Sequence, residues 1–106
     1  MDNTLYTKLR EIQDKDEDAA QSIPFNNNGR RPYYTCRVYD GNGDPRDTPD
    51  FIECIGFRVL DNAVEAAKTY LSYDEDGDIV DIFEEEEDKD GGIYCEPEQV
   101  WSSTWK

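Results

Sequence analysis

The sequence predicts an α+β fold in which two helices cover one face of an antiparallel, meander-rich sheet of about five strands. Three observations support this prediction. Apolar residues recur at helical spacing in two segments, they alternate with a period of two in several others, and turn-forming residues separate the segments. The predicted order is α-β-β-α-β-β-β. The 106 residues, of which 36% are hydrophobic, suffice for a single domain, residues 1–106, with one modest core.

The first half of the chain predicts a helix followed by a β-hairpin. Apolar side chains recur at i, i+4 and i+7 at Leu5, Leu9 and Ile12. This spacing predicts a helix over residues 4–20. From residue 33 the apolar period is two, so residues 33–39 and 51–60 are predicted strands. The turn-rich segment 40–49 between them predicts an antiparallel pairing.

The second half predicts a helix followed by three strands. Asn62 and Glu65 have the spacing of a capping box, and small or apolar residues follow at helical spacing. The next strand begins near Asp78, and the Asp-Gly-Gly sequence at residues 90–92 predicts that it folds back in a hairpin. The last two predicted strands are residues 91–96 and 100–105.

The negative charge of the chain is concentrated in residues 74–90, which we call the acidic segment. The whole chain has 26 acidic and 11 basic residues and a net charge of −15. The carboxylates of the acidic segment are Asp74, Glu75, Asp76, Asp78, Asp81, Glu84, Glu85, Glu86, Glu87, Asp88 and Asp90. Such a charge run repels itself and is usually disordered or an interaction surface. Apolar residues interrupt this one at positions 79, 80, 82 and 83, which predicts a strand that displays carboxylates to a partner.

The acidic segment has a charge spacing close to that of a nucleic acid. A strand advances about 3.3 Å per residue, and phosphates along one DNA strand are roughly 3.4 Å apart. The consecutive acids at residues 84–88 therefore approach the linear charge density of a polynucleotide. A surface of this sign does not bind phosphates, so we expect a basic nucleic-acid-binding protein as the partner, and no direct contact with nucleic acid.

In size, acidity and compact α+β pattern, the chain resembles the small phage-encoded inhibitors of host defence, the anti-CRISPR and anti-restriction DNA mimics. The resemblance is to a functional class with many folds, so it transfers no residue roles. It implies a Cas effector, a restriction enzyme or another nuclease as the target.

Further acidic residues in the second half of the chain would extend the binding surface: Asp40, Asp44, Asp47 and Asp50. Arg30 and Arg31, in a predicted loop, are candidates for contacting an acidic patch of the same partner.

An immunity protein or antitoxin that neutralises a nuclease toxin is an alternative. Its acidic surface would cover the basic active site of the toxin, and aromatic side chains would anchor the interface. The candidate anchors are Tyr33, Tyr39, Tyr73, Tyr94, Trp101 and Trp105.

A divalent-cation-binding protein is the second alternative. Two triplets have the 1, 3, 5 spacing of calcium ligands: Asp40, Asn42 and Asp44, and Asp74, Asp76 and Asp78. Position 6, where a calcium loop needs Gly for its sharp turn, is Pro45 in the first triplet and Ile79 in the second. We therefore expect no dedicated metal site and no cofactor.

Enzyme activity is not expected, because the chain has no His and no glycine-rich phosphate loop. The sequence has no signal-like apolar run and no stretch near the roughly 20 apolar residues of a membrane span. It therefore predicts a cytoplasmic protein without membrane contact.

The cysteines form no Cys-x-x-Cys pair, and we expect them as packed, reduced thiols: Cys36, Cys54 and Cys95. A homodimer is compatible with the sequence.

Overall fold

The computed structural model describes residues 3–45 and 56–105. The elements are helix α1 (Asn3–Ala20), strands β1 (Arg30–Tyr39) and β2 (Gly56–Phe57), helix α2 (Leu60–Ser72), and strands β3 (Ile79–Asp88) and β4 (Ile93–Ser102). These strands form one antiparallel sheet in the order β2-β1-β3-β4. The predicted α+β class, with two helices and an antiparallel sheet, is confirmed.

The described chain runs twice through the order α-β-β. In each unit the first strand lies at the centre of the sheet and the second lies at its edge. The central strands β1 and β3 pair along their whole length, from Arg30 opposite Asp88 to Tyr39 opposite Ile79. This long pairing fixes the positions of the loops at both ends of the two strands.

Several predicted strands have different boundaries in the structure. Strand β1 begins at Arg30 and not at residue 33, so Arg30 and Arg31, predicted in a loop, belong to this strand. The last two predicted strands are parts of the single strand β4, which pairs with β3 through two register shifts. Pro97 does not interrupt β4, because an edge strand tolerates a residue that lacks an N–H group. Of the predicted strand 51–60, residues 51–55 lie outside the described residues, and Leu60 already belongs to α2.

The core lies between the two helices and one face of the sheet. Its buried members are Leu9, Ile12, Cys36, Val38, Phe57, Ala63, Ala66, Ala67, Val80 and Ile82. The alanines of α2 are fully buried, and their small side chains let this helix lie close to the sheet. Cys36 is a packed thiol as predicted, and burial raises its pKa to about 12. Cys54 and the side chain of Cys95 lie outside what the structure describes.

Helix α2 is capped at its N-terminus by a side chain of helix α1. Its N-cap residue, Val59, has no side-chain cap, so the predicted capping box at Asn62 is wrong. Asp16 of α1, which is only 1% exposed, takes this role. Its carboxylate accepts hydrogen bonds from the backbone N–H groups of Arg58 (2.9 Å) and Val59 (3.1 Å) and from the Asn62 amide (3.0 Å). A carboxylate at this position also interacts favourably with the helix dipole, and it fixes α1 against α2.

Candidate protein-interaction surface

The acidic segment is folded along its whole length. It consists of the loop 74–78, strand β3 and the first part of the turn into β4. Three of its carboxylates are exposed: Glu75, Asp76 and Asp90. Six are partly buried: Asp74, Asp81, Glu84, Glu85, Glu86 and Asp88. The remaining two, Asp78 and Glu87, are buried.

Glu87 is part of the fold. Its side chain forms salt bridges with Arg31 and Arg58, each with 2.8 Å between Nε and Oε1, and Arg58 adds a second hydrogen bond of 3.1 Å. Burial acts to raise the pKa of Glu87, but the hydrogen bonds and positive charges of Arg58 and Arg31 outweigh it and lower the pKa. Arg31 also donates to the carbonyl oxygen of Ala20 at the end of α1 (2.7 Å). Glu87 thus connects three parts of the chain.

Asp78 also serves the fold. It is 7% exposed and accepts a hydrogen bond of 2.8 Å from the hydroxyl group of Tyr70 on α2. Burial therefore takes Asp78 and Glu87 out of any surface that a partner could contact. Nine of the eleven predicted carboxylates of the acidic segment keep some solvent exposure, and three of these nine are fully in the exposed class.

Four loops share a construction that the sequence analysis missed. They comprise residues 26–30, 40–44, 74–78 and 88–92. Each starts with Asn or Asp, whose side-chain oxygens accept hydrogen bonds from the backbone N–H groups two and four residues later. The fourth residue of each is a Gly with positive φ, between 75° and 86°. The sequence signal is the repeated pattern Asx-x-Asx-Gly, as NNNG, DGNG, DEDG and DKDG.

This construction explains the two calcium-like triplets. The first residue of each triplet, Asp40 or Asp74, has its carboxylate oxygens directed to backbone N–H groups. For Asp74, burial acts to raise the pKa, but these backbone hydrogen bonds lower it overall. Within residues 3–45 and 56–105, no group of three or more Asp, Glu, Cys or His side chains could hold a metal ion.

The four loops meet in pairs at the two ends of the β1–β3 pairing. Loops 40–44 and 74–78 lie together at one end, where a Cβ atom on Gly41 would be 3.6 Å from the carbonyl oxygen of Gly77. These two loops contain six carboxylates and no Lys or Arg, and we call them the acidic end. Asp47 and Asp50, predicted to extend this surface, lie outside the described residues.

Loops 26–30 and 88–92, with the adjoining paired strand residues Arg31 and Glu87, form the opposite end, which we call the mixed end. The guanidinium of Arg30 is 4.0 Å from the ring centroid of Tyr94, and that of Arg31 is 4.6 Å from the ring of Phe25. A hydrogen bond from Tyr94, together with backbone N–H groups, lowers the pKa of Asp88. Arg30 and Arg31, predicted as candidates for contacting a partner, therefore already contact groups of their own chain.

The second face of the sheet carries neither helix. Its side chains include Thr35 and Arg37 of β1, which lie opposite Phe83 and Asp81 of β3. The guanidinium of Arg37 is 4.6 Å from the centroid of the Phe83 ring. We call this surface the open face.

The aromatic candidates are divided between core and surface. Trp101 packs against the core. Tyr94 and Trp105 are exposed by 39% and 55% of their surface, and Tyr33, Tyr39 and Tyr73 are partly buried.

No protein-family model matches the sequence, and comparisons with curated proteins and with solved structures also find no match. None of the helices in the described part of the chain has the length and apolar character needed to cross a membrane.

Proposed function

We propose that this chain is a small acidic inhibitor that binds the positively charged nucleic-acid groove of a DNA- or RNA-processing enzyme, as an anti-CRISPR or anti-restriction DNA mimic does. The observation that carries this proposal is that the acidic segment is held in folded structure, with nine of its carboxylates exposed at least in part. The chain would then compete with nucleic acid for the same Lys and Arg side chains. We propose the cytoplasm as the compartment of the inhibitor, because a defence nuclease of this class would meet its nucleic acid there.

Preorganisation supports this mode of binding. Strand β3 is hydrogen-bonded to β1 on one side and to β4 on the other, so the backbone that carries its carboxylates is fixed before a partner arrives. A disordered acidic tail would lose conformational entropy on binding, and that loss would reduce its affinity. The folded hairpin avoids most of this cost.

Repulsion within the hairpin also favours a cationic partner. Glu84 of β3 lies directly opposite Glu98 of β4, and like charges opposite each other destabilise a strand pair. A basic groove would relieve this repulsion on contact. Unscreened charge also accelerates association, so binding should be fast and should weaken as the salt concentration rises.

Displacement of DNA tests the proposal. A Cas effector, a restriction enzyme and a nuclease toxin would each be loaded with a fluorescent duplex and titrated with the chain at low and high salt. We expect displacement from at least one of them at low salt, measured as a loss of fluorescence polarisation.

Two charge-matched triple variants show which acids matter. Replacing Glu84, Glu85 and Glu86 by Gln should abolish displacement, whereas Glu87 is left in place because the fold needs it. Replacing the exposed α1 acids Glu11, Asp14 and Glu17 by their amides removes the same charge elsewhere. Equal effects of the two variants, or no displacement from any enzyme, would remove the proposal.

A further inference from the structure

The open face contains a cleft of about 290 Å³ beside the acidic end. Its lining includes Tyr39, Ile79, Asp81, Gln99, Ser102 and Thr104. Ligand pockets for whole small molecules usually start at about 300 Å³, so this cleft suits a single side chain. Its size and its position beside the acidic end make it a candidate for contacting one residue of a larger partner.

Asp81 gives the cleft a negative charge that no residue within 3–45 and 56–105 neutralises by an ion pair. It is partly buried between Arg37 on β1 and Ser102 on β4, which lie opposite it in the two neighbouring strands. The guanidinium of Arg37 instead lies against the ring of Phe83. Asp81 has neither a hydrogen bond nor an ion pair with any residue that the structure describes.

The other groups in the cleft complement a guanidinium. The ring of Tyr39 offers a surface on which a planar cation can stack. The exposed hydroxyl group of Thr104 and the side-chain amide of Gln99 add hydrogen-bonding oxygens to the lining of the cleft. The buried Ser102 hydroxyl is already engaged by Thr104, 2.9 Å away. The contact between Arg37 and Phe83 shows the same kind of stacking on the same face.

Other occupants fit the cleft less well. An anion would be repelled by Asp81 and by the acidic end, and an apolar group would bury the Asp81 carboxylate without a partner, which is costly. A lysine would satisfy the charge but could not pair with a carboxylate through two parallel hydrogen bonds and stack on a ring at the same time.

We propose that this cleft is the anchor site for one arginine side chain of a basic partner protein. This inference rests on the proposed function, because it specifies how the partner of the acidic surface is held. The carboxylate of Asp81 pairs with the guanidinium while Tyr39 stacks against it, so the cleft adds geometric specificity to the unspecific attraction of the acidic segment.

A small probe tests the cleft without any partner protein. The full chain, labelled with ¹⁵N, would be titrated with N-acetyl-arginine methylamide and, separately, with the citrulline analogue, which has nearly the same shape but no charge. We expect the arginine probe to shift the amide signals of Tyr39, Asp81 and Ser102, and the citrulline probe to leave them unchanged.

Substitutions in the cleft should change the affinity for the arginine probe in both directions. Asp81→Asn should weaken binding about tenfold, since it removes a charge-assisted hydrogen-bonding pair. Tyr39→Leu should weaken it about threefold. Gln99→Glu should strengthen it by adding a second carboxylate. Asp18→Asn, on the exposed side of α1, removes one charge and should have no effect.

The result that overturns the inference is equal weakening by Asp81→Asn and Asp18→Asn, or signal shifts centred on the acidic end. Far-ultraviolet circular dichroism would confirm that each variant is folded. If Asp81→Asn or Tyr39→Leu is not folded, Gln99→Glu tests the inference instead. No gain of affinity for the arginine probe in that variant would overturn it. A chain that displaces DNA from an enzyme but does not bind the probe in the cleft would keep the proposed function and lose this inference.

Discussion

The two ends of the β1–β3 pairing are built from the same kind of loop but use their charged residues differently. At the acidic end, two loops bring six carboxylates together without a Lys or Arg in either loop. At the mixed end, Arg30 and Arg31 lie on aromatic rings, and Arg31 also pairs with Glu87. The loop pattern fixes the backbone at both ends. At the acidic end Asp40, Asp74 and Asp78 accept hydrogen bonds from their own chain, whereas Asp44, Glu75 and Asp76 lie exposed.

The two ends should differ most in how much stability the protein loses when one glutamate is replaced at each end. Glu87→Gln leaves the guanidinium groups of Arg31 and Arg58 without their shared carboxylate, so we expect the free energy of unfolding to fall by about 3 kcal/mol. Glu75→Gln, at an exposed position of the acidic end, should change the free energy of unfolding by less than about 0.5 kcal/mol. Urea unfolding at pH 7 measures both. Similar losses in the two variants would show that Glu87 is not a structural charge.

Lowering the pH should remove the contribution of Glu87 to the free energy of unfolding. Its pKa is lowered in the folded protein from an ordinary value of 4.5, so its contribution to stability is complete above that pH and is lost as the pH falls through the folded pKa. The difference in unfolding free energy between the wild type and Glu87→Gln should therefore be constant from pH 7 to about pH 5 and should shrink below pH 4.5. A difference that grows on acidification would contradict the ion-pair assignment.

Removing the first residue of a loop at each end tests whether the loops are equivalent. Asn26→Ala at the mixed end and Asp40→Ala at the acidic end each remove an acceptor of two backbone hydrogen bonds. We expect each to lower the free energy of unfolding by about 1 kcal/mol. Asp40→Asn should be nearly neutral, since an amide oxygen can accept the same bonds, and the exposed Asn27→Ala is the control. Clearly unequal losses would mean that the two loops are supported differently.

The features that were predictable from the sequence depend on local patterns, and the missed ones depend on distant contacts. The helix containing Leu9 and Ile12 and the strand containing Cys36 and Val38 follow from residue spacing alone. The structural role of Glu87 depends on Arg31 and Arg58, which are 56 and 29 residues away in the chain, so a count of carboxylates includes Glu87 with the accessible ones.

The same reasoning applies to the helix cap and to the loops. Asp16 caps α2 through groups 42 to 46 residues away, which no local motif around Asn62 reveals. The loops, unlike the helix cap, have a local sequence signal. The pattern Asx-x-Asx-Gly occurs four times in the sequence, and it predicts an Asx turn followed by a Gly in the left-handed conformation. It could have been found without coordinates.

The smallest expected effect concerns repulsion at the acidic end. Glu75→Gln removes one of six neighbouring carboxylates and should stabilise the protein by about 0.3 kcal/mol at low salt. The gain should disappear at about 0.5 M NaCl, because the Debye length there falls well below 10 Å. Glu17→Gln on α1 removes the same charge away from the cluster and should give a smaller gain. Thermal unfolding of both variants at the two salt concentrations measures this. If Glu17→Gln stabilises as much as Glu75→Gln, the repulsion comes from the net charge of the whole chain and not from the carboxylates gathered at the acidic end.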